Sequence, residues 1–183
     1  MRVLRVTAAV VAGWLCLAVT LAVADSSGRD QRANAVIGYW ASPESVLHVA
    51  RTDNGLSMQV VALLEPYYAP GEEFGPVGAE RRDDRNPDPA KRQVPIIGLE
   101  LLSDYAYADD RWRGRIYDPE SGKIYASTIR VAADGRLKMR GYIGMPMFGR
   151  TQSFVPVHAC TEVIVTMLAL GNLAPEPGCE QPH

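Results

Sequence analysis

Between Ala35 and Val157 the chain sustains no helical period; it runs as short β-prone segments cut apart by turn chemistry, and this limits the folds open to it more than any other feature. The segments are Ala35–Trp40, Val46–Arg51, Leu56–Leu64, Leu99–Tyr107, Trp112–Tyr117, Ile124–Val131, Leu137–Ile143 and Thr151–Val157. Asp53-Asn54-Gly55, Asp118-Pro119-Glu120-Ser121-Gly122 and Ala133-Asp134-Gly135 separate neighbours with residues that tolerate positive φ or preset φ near −65°, so each joins its strands antiparallel. About eight antiparallel strands either stack as a sandwich or close on themselves, and closure removes the edges that invite aggregation. The expected fold is all-β: a single antiparallel barrel of about eight strands, whose interior side chains can fill or which can hold one small ligand.

The termini behave differently. Arg2 and Arg5 precede a charge-free apolar stretch from Val6 to Val23 that ends in Ala22-Val23-Ala24, the pattern of a secretory signal with a small-residue cleavage site. Cleavage after residue 24 is expected, with 25–34 a flexible N-terminus, no membrane span in the mature chain and a periplasmic or secreted address. Cys16 lies deep in the apolar run behind Leu15, which argues against lipidation. The two arginines lost from 19 basic residues leave 17 against 21 acidic, a formal charge of −4, and nothing global points to nucleic acid. Cys160 and Cys179 remain, and in an oxidising compartment they read as a structural disulfide worth roughly 3 kcal/mol in the chain-entropy model. From Thr161 to Leu170 the tail reads as a short helix ended by Gly171-Asn172, packed on the barrel and stapled by that bridge. Residues 158–183 form this appendage, and 35–157 the barrel.

One segment interrupts the meander. Residues 65–95 are rich in Pro, Gly and charge and far exceed a hairpin loop, a length typical of lids and other functional loops. Asp84-x-Asn86-x-Asp88 mimics the opening of a calcium loop, but Pro89 stands where glycine is needed and no bidentate acid follows, so no metal site is expected. Asn86-Pro87-Asp88-Pro89 reads instead as consecutive turns pinning the loop against the barrel mouth.

The residues resemble a known family, the bacterial exported proteins grouped as domain of unknown function 2147, whose known structures are lipocalin-like barrels. The matching pieces are Gly38-Tyr39-Trp40; Asn86-Pro87-Asp88-Pro89-Ala90 with Pro95-Ile96-Ile97-Gly98; Arg115 through Tyr125; and Arg140-Gly141-Tyr142-Ile143-Gly144 with Phe148-Gly149-Arg150-Thr151-Gln152. They span about Ala35 to Val157 in order and spacing. Val60 or Val61, and Ile97, stand where family members often carry cysteines, and Phe154 where they often carry tryptophan; the tail from His158 lies outside the likeness. The resemblance implies a fold and an exported address, and no reaction. It also implies that Gly38 and Trp40 close the narrow end of a lipocalin-like barrel, with Arg150, or second Arg140, stacked across the indole.

Catalytic signatures are absent: no G-x-S-x-G elbow, H-E-x-x-H, phosphate loop or dinucleotide fingerprint occurs, and His48, His158 and His183 are scattered. The chain is read as a non-enzyme without cofactor. Arg111, Arg113 and Arg115 alternate with Trp112 and Ile116, and Arg136, Lys138 and Arg140 with Leu137 and Met139, so each basic set shares one face of its strand. The plain assignment sends those faces to solvent. The sharper one turns Arg115, Tyr117, Tyr125 and Arg140 inward at one end, with Tyr67 on the rim, to bind the acidic head of an amphipathic ligand. The leading expectation is therefore an exported carrier of a small amphipathic or hydrophobic ligand in a barrel cup, lidded by 65–95. The competing one is a filled barrel that acts through its surface, and Met58, Trp112, Met139 and Phe154 meeting at the centre would leave no cup.

Overall fold

A computed structural model describes residues 27–171. The expected signal segment, its cleavage site and Cys179 lie outside them. All eight expected strands are present: β1 (Gly38–Ala41), β2 (Ser45–Thr52), β3 (Gly55–Leu63), β4 (Leu102–Ala108), β5 (Arg111–Asp118), β6 (Lys123–Val131), β7 (Leu137–Tyr142) and β8 (Arg150–Pro156). They pair antiparallel in the order β3-β2-β1-β8-β7-β6-β5-β4. Hairpins make every pair except β1 with β8, which joins Trp40 to Pro156 and Ala41 to Val155.

The outer strands of that order, β3 and β4, meet across a short seam, so the barrel is nearly closed. Val60 N donates to Leu99 O (3.2 Å), Gly98 N to Val60 O (2.7 Å) and Leu101 N to Met58 O (2.9 Å). Glu100 extends the seam by replacing backbone acceptors with its carboxylate: Oε1 accepts from Met58 N at 2.7 Å and Leu102 N at 3.3 Å, and Oε2 from the Ser57 hydroxyl at 2.9 Å. Farther along, β4 bulges between Ser103 and Ala106 in its ladder with β5, with Asp104 at φ 59°. Gly55 sits so close to the Tyr105 carbonyl that a Cβ would lie 2.1 Å from its oxygen, which only glycine at φ 134° accommodates.

Period two decides what faces inward. Trp112 on β5, Ile129 on β6, Leu137 and Met139 on β7 and Phe154 on β8 join Trp40, Leu47, Val49, Met58 and Val60 in one buried cluster. Arg111, Arg113 and Arg115 point the other way and are exposed. Alternation puts Val46 and Leu47 on opposite faces of β2, and a bulge there, with Val61 the extra residue of β3, brings Ala62 to the side of Val46. Leu47 enters the barrel, while Val46 joins Ala41 and Ala62 under the C-terminal helix. That helix, α2 (Glu162–Leu170), is capped by the Thr161 hydroxyl accepting from Ile164 N, and it lays Ile164, Met167 and Leu168 on the outer wall.

Residues 27–34 form a helix, α1, where a flexible segment is expected from sequence. Its sequence is polar apart from Ala33, so no local pattern announces it. Tertiary contacts hold it: the Trp112 indole donates to Ala33 O (2.9 Å), and Trp40 donates to Val36 O just beyond (2.8 Å). Helix α1 thereby covers one end of the barrel, and the 64–101 connection and the β5–β6 and β7–β8 turns surround the other.

Candidate functional site

The five residues expected to converge on a ligand do not converge. Arg115 lies on the outer face and pairs with Asp104. Arg140, also outward, donates to Pro146 O, Met147 O and the Thr151 hydroxyl. Tyr117 shares that outer parity and donates to Asp83 Oδ1 (2.6 Å). Tyr67 is exposed within the long connection, paired with Glu80. Tyr125 alone has inner parity, opposite Ile116, with its hydroxyl 3.2 Å from that of Ser121. The physical reason is the plain one: in a half-buried strand the desolvated face goes to the apolar set, and the arginines stay in water.

Nor does the long connection lie over the mouth as a lid. It is a strap fixed by a polar knot. Asp83 is fully buried and accepts from both Tyr117 and Asn86 Nδ2 (2.6 Å each). Asn86 Oδ1 accepts from Asp88 N, and Asp88 caps the 3-10 turn Pro89–Lys91. Tyr68, also buried, donates to Asp84 Oδ2 (2.5 Å) and accepts from Arg82 N. Burial, then the hydrogen bond to a carboxylate, pushes the Tyr68 and Tyr117 phenols above their ordinary value. Gly122 of the β5–β6 turn touches the strap, a Cβ there falling 1.9 Å from Arg85 O. The turn-forming role expected of Asn86 through Pro89 is what the structure shows.

The centre of the barrel is full. Met58, Trp112, Met139 and Phe154 meet in the main core, each at most 5 % exposed. Deeper toward the mouth, Tyr105 and Ser127 join hydroxyls below the surface. Burial raises the Tyr105 phenol to about 12, against the partly compensating bond from Ser127.

Trp40 is buried in the main core with its indole donating to Val36 O, but Arg150 does not stack on it. Register places Pro156, not Arg150, beside Trp40, and Arg150 lies beside Gly141 six residues away, about 20 Å at roughly 3.3 Å per residue. The second candidate, Arg140, is spent on the β7–β8 turn. The cation at the closed end is Arg51 of β2, 4.9 Å from the centre of the Trp112 ring.

That pair lines a cleft of about 460 Å³ between α1, the β2–β3 turn and the Tyr105–Tyr107 stretch of β4. Tyr107 and Trp112 pack at 5.3 Å as its aromatic wall, with Arg29 6.0 Å from the Tyr107 ring and Asp30 and Asp53 on the rim. The Tyr107 hydroxyl is buried with no hydrogen-bond partner among the described residues. A second recess of about 180 Å³ opens on the far side of the same two rings, beneath Arg32. Sequence reasoning missed this site, although one signal was legible. Asp109 and Asp110 both adopt left-handed φ, as a two-residue hairpin turn requires, and that turn sets Tyr107 directly opposite Trp112.

Among the described residues, no three His, Cys, Asp or Glu side chains are grouped to hold a metal, and no helix is long and apolar enough to cross a membrane.

Residues 38–155 match a family described as an uncharacterized protein conserved in bacteria, DUF2147. Among solved structures, the chain is similar to protein HP1028 from the human pathogen Helicobacter pylori, described as belonging to the lipocalin family. The TM-score is 0.51 at 17% identity, over 66% of this chain and 82% of that one, a likeness of fold. No protein of curated function matches in sequence.

Proposed function

The chain belongs to the bacterial DUF2147 family and is a lipocalin-like barrel, and from that premise we propose that it is an exported, non-catalytic binding protein holding one small amphipathic ligand in the cleft beneath α1. The lining of the cleft carries this reading: Tyr107 and Trp112 form an aromatic wall, and Arg29 and Arg51 lie against the faces of those rings. The cleft falls within the roughly 300–1,000 Å³ typical of small-molecule sites. Its chemistry suits a ligand with an apolar or aromatic body against Tyr107 and Trp112 and an anionic end at Arg29 and Arg51. Stacking on Trp112 uses the face of the Arg51 guanidinium and leaves in-plane donors, one of which reaches Asn34 Oδ1 at 3.3 Å. The signal-like segment Arg2 to Ala24 supports export to the periplasm or beyond, and the pair Cys160 and Cys179 would suit that compartment as a disulfide.

Anilinonaphthalene sulfonate, an anionic aromatic, is a direct probe. It should bind saturably at one site, and Arg51→Ala with Arg29→Ala should weaken it by about tenfold or more, since each charge-assisted hydrogen bond contributes roughly 1.5–3 kcal/mol. Native mass spectrometry of protein purified from the envelope fraction should show an added mass lost on mild organic extraction. A bare mass together with unsaturable dye binding would remove the ligand reading. It would leave a second reading favoured by the filled centre, an envelope interaction protein that works through its surface.

A further inference from the structure

The barrel's most exposed apolar residues are gathered at the end opposite the cleft. In the connection between β7 and β8, Ile143, Met145, Met147 and Phe148 are 57 to 73% exposed, and Ile124 on neighbouring β6 is 57% exposed. Single exposed apolar residues need no explanation, whereas a contiguous group at a loop tip does. We propose that this tip docks the protein on an anionic lipid bilayer by inserting these side chains into the interface.

The tip has a built shape. Arg140 reaches under it, donating from Nε to Pro146 O (2.9 Å), from Nη2 to Met147 O (3.2 Å) and from Nη1 to the Thr151 hydroxyl (2.9 Å). Phe148 N donates to Met145 O and Gly149 N to Pro146 O, both at 3.1 Å. Gly149 lies against β7, where a Cβ would come within 2.5 Å of Gly141 O. Backbone groups of the turn are thus answered from below while the apolar side chains project away. Hydrocarbon demands this division, because it offers a carbonyl or an amide nothing to bond.

Charge selects the kind of surface. From Gly135 to Thr161 the chain has no acid, and Arg140 and Arg150 lie at the base of the tip. Arg150 at the base of the tip and Lys123 at the start of β6 have no acidic side-chain partner among the described residues. The acids of the adjoining turn are Glu120, which is exposed, and Asp118, which is turned to Ser121. Apolar insertion flanked by cations is the arrangement that binds anionic headgroups.

A Phe148→Trp variant of the envelope-purified protein reports on the tip directly, read as a difference spectrum because Trp40 and Trp112 are buried. With vesicles of roughly one-quarter phosphatidylglycerol in phosphatidylcholine, the new tryptophan should shift to the blue and be quenched by brominated acyl chains. Met147→Ser with Phe148→Ser should lower vesicle partitioning about tenfold, and Arg150→Gln roughly fivefold on the anionic vesicles alone. Both variants should melt like the parent, since the altered side chains are exposed. An emission that ignores both vesicle types would overturn the proposal. So would a blue shift that grows with protein concentration in the absence of lipid, which would make the tip a contact between copies of this chain.

Discussion

The two ends of the barrel are held by opposite physics. At the closed end, two large indoles lie under a short polar helix, and each uses its one donor on a backbone carbonyl of the α1 segment. Ala33 and, just beyond the helix, Val36 are nearly fully buried beside them. At the mouth, the 64–101 strap anchors Ile96, Leu99 and Leu101 on the core, while its middle depends on Asp83, Asn86, Tyr117 and Tyr68 making their hydrogen bonds. An apolar seal tolerates small shifts and fails with volume; a polar knot tolerates volume and fails when one partner is lost. The closed end is therefore where stability concentrates, and the mouth is where one substitution can loosen a long segment without unfolding the barrel.

Trp112→Ala is expected to have the largest effect. It empties a site 2% exposed and removes the bond to Ala33, for a loss of about 3–5 kcal/mol in urea unfolding with early exposure of α1 amides to exchange. Asp83→Ala should follow at about 2–4 kcal/mol, because it strands the Tyr117 and Asn86 donors. Here the loss should be local: proteolysis between Pro66 and Ile96 should rise steeply while the unfolding midpoint moves less than for Trp112→Ala. Equal midpoint shifts in the two variants would erase the distinction between the ends.

Alkaline titration probes the interior between them. The Tyr105 phenol ionises near 10.0 when unfolded and at about 12 when folded, so its contribution is complete below pH 10 and is lost as pH rises to 12. The loss should be about 2–3 kcal/mol, and Tyr105→Phe should flatten that part of the pH profile. The smallest effect belongs to Arg51→Gln, which removes a cation from the Trp112 face and should change stability by about 0.5–1 kcal/mol. Dye binding in the cleft would register the same substitution more strongly, separating a ligand role from a packing one.

Eight strands were readable because each carries its own evidence: alternation along the segment and a turn residue at its end. The outward course of Arg111, Arg113 and Arg115 was equally readable. Arg150 was not, since which residue of β8 lies beside Trp40 depends on a pairing between strands more than a hundred residues apart. Helix α1 escaped for a related reason, its order being supplied by Trp40 and Trp112 rather than by a pattern of its own. Residues 65–95 invited the reading of a lid from length alone, whereas the contact between Asp83 and Tyr117 makes them a strap.

Alternation and turn chemistry, which act over a few residues, are enough for the sequence by itself to determine the number of strands, their antiparallel meander and the side of each that meets water. Only the tertiary structure decided that the centre is filled, that the cation stacked on an indole at the closed end is Arg51 on Trp112 rather than Arg150 on Trp40, and that the open concavity lies beneath α1. Those outcomes turn on the β1–β8 register and on the bulge of β4 against β5, and both are set by how remote side chains share a confined volume.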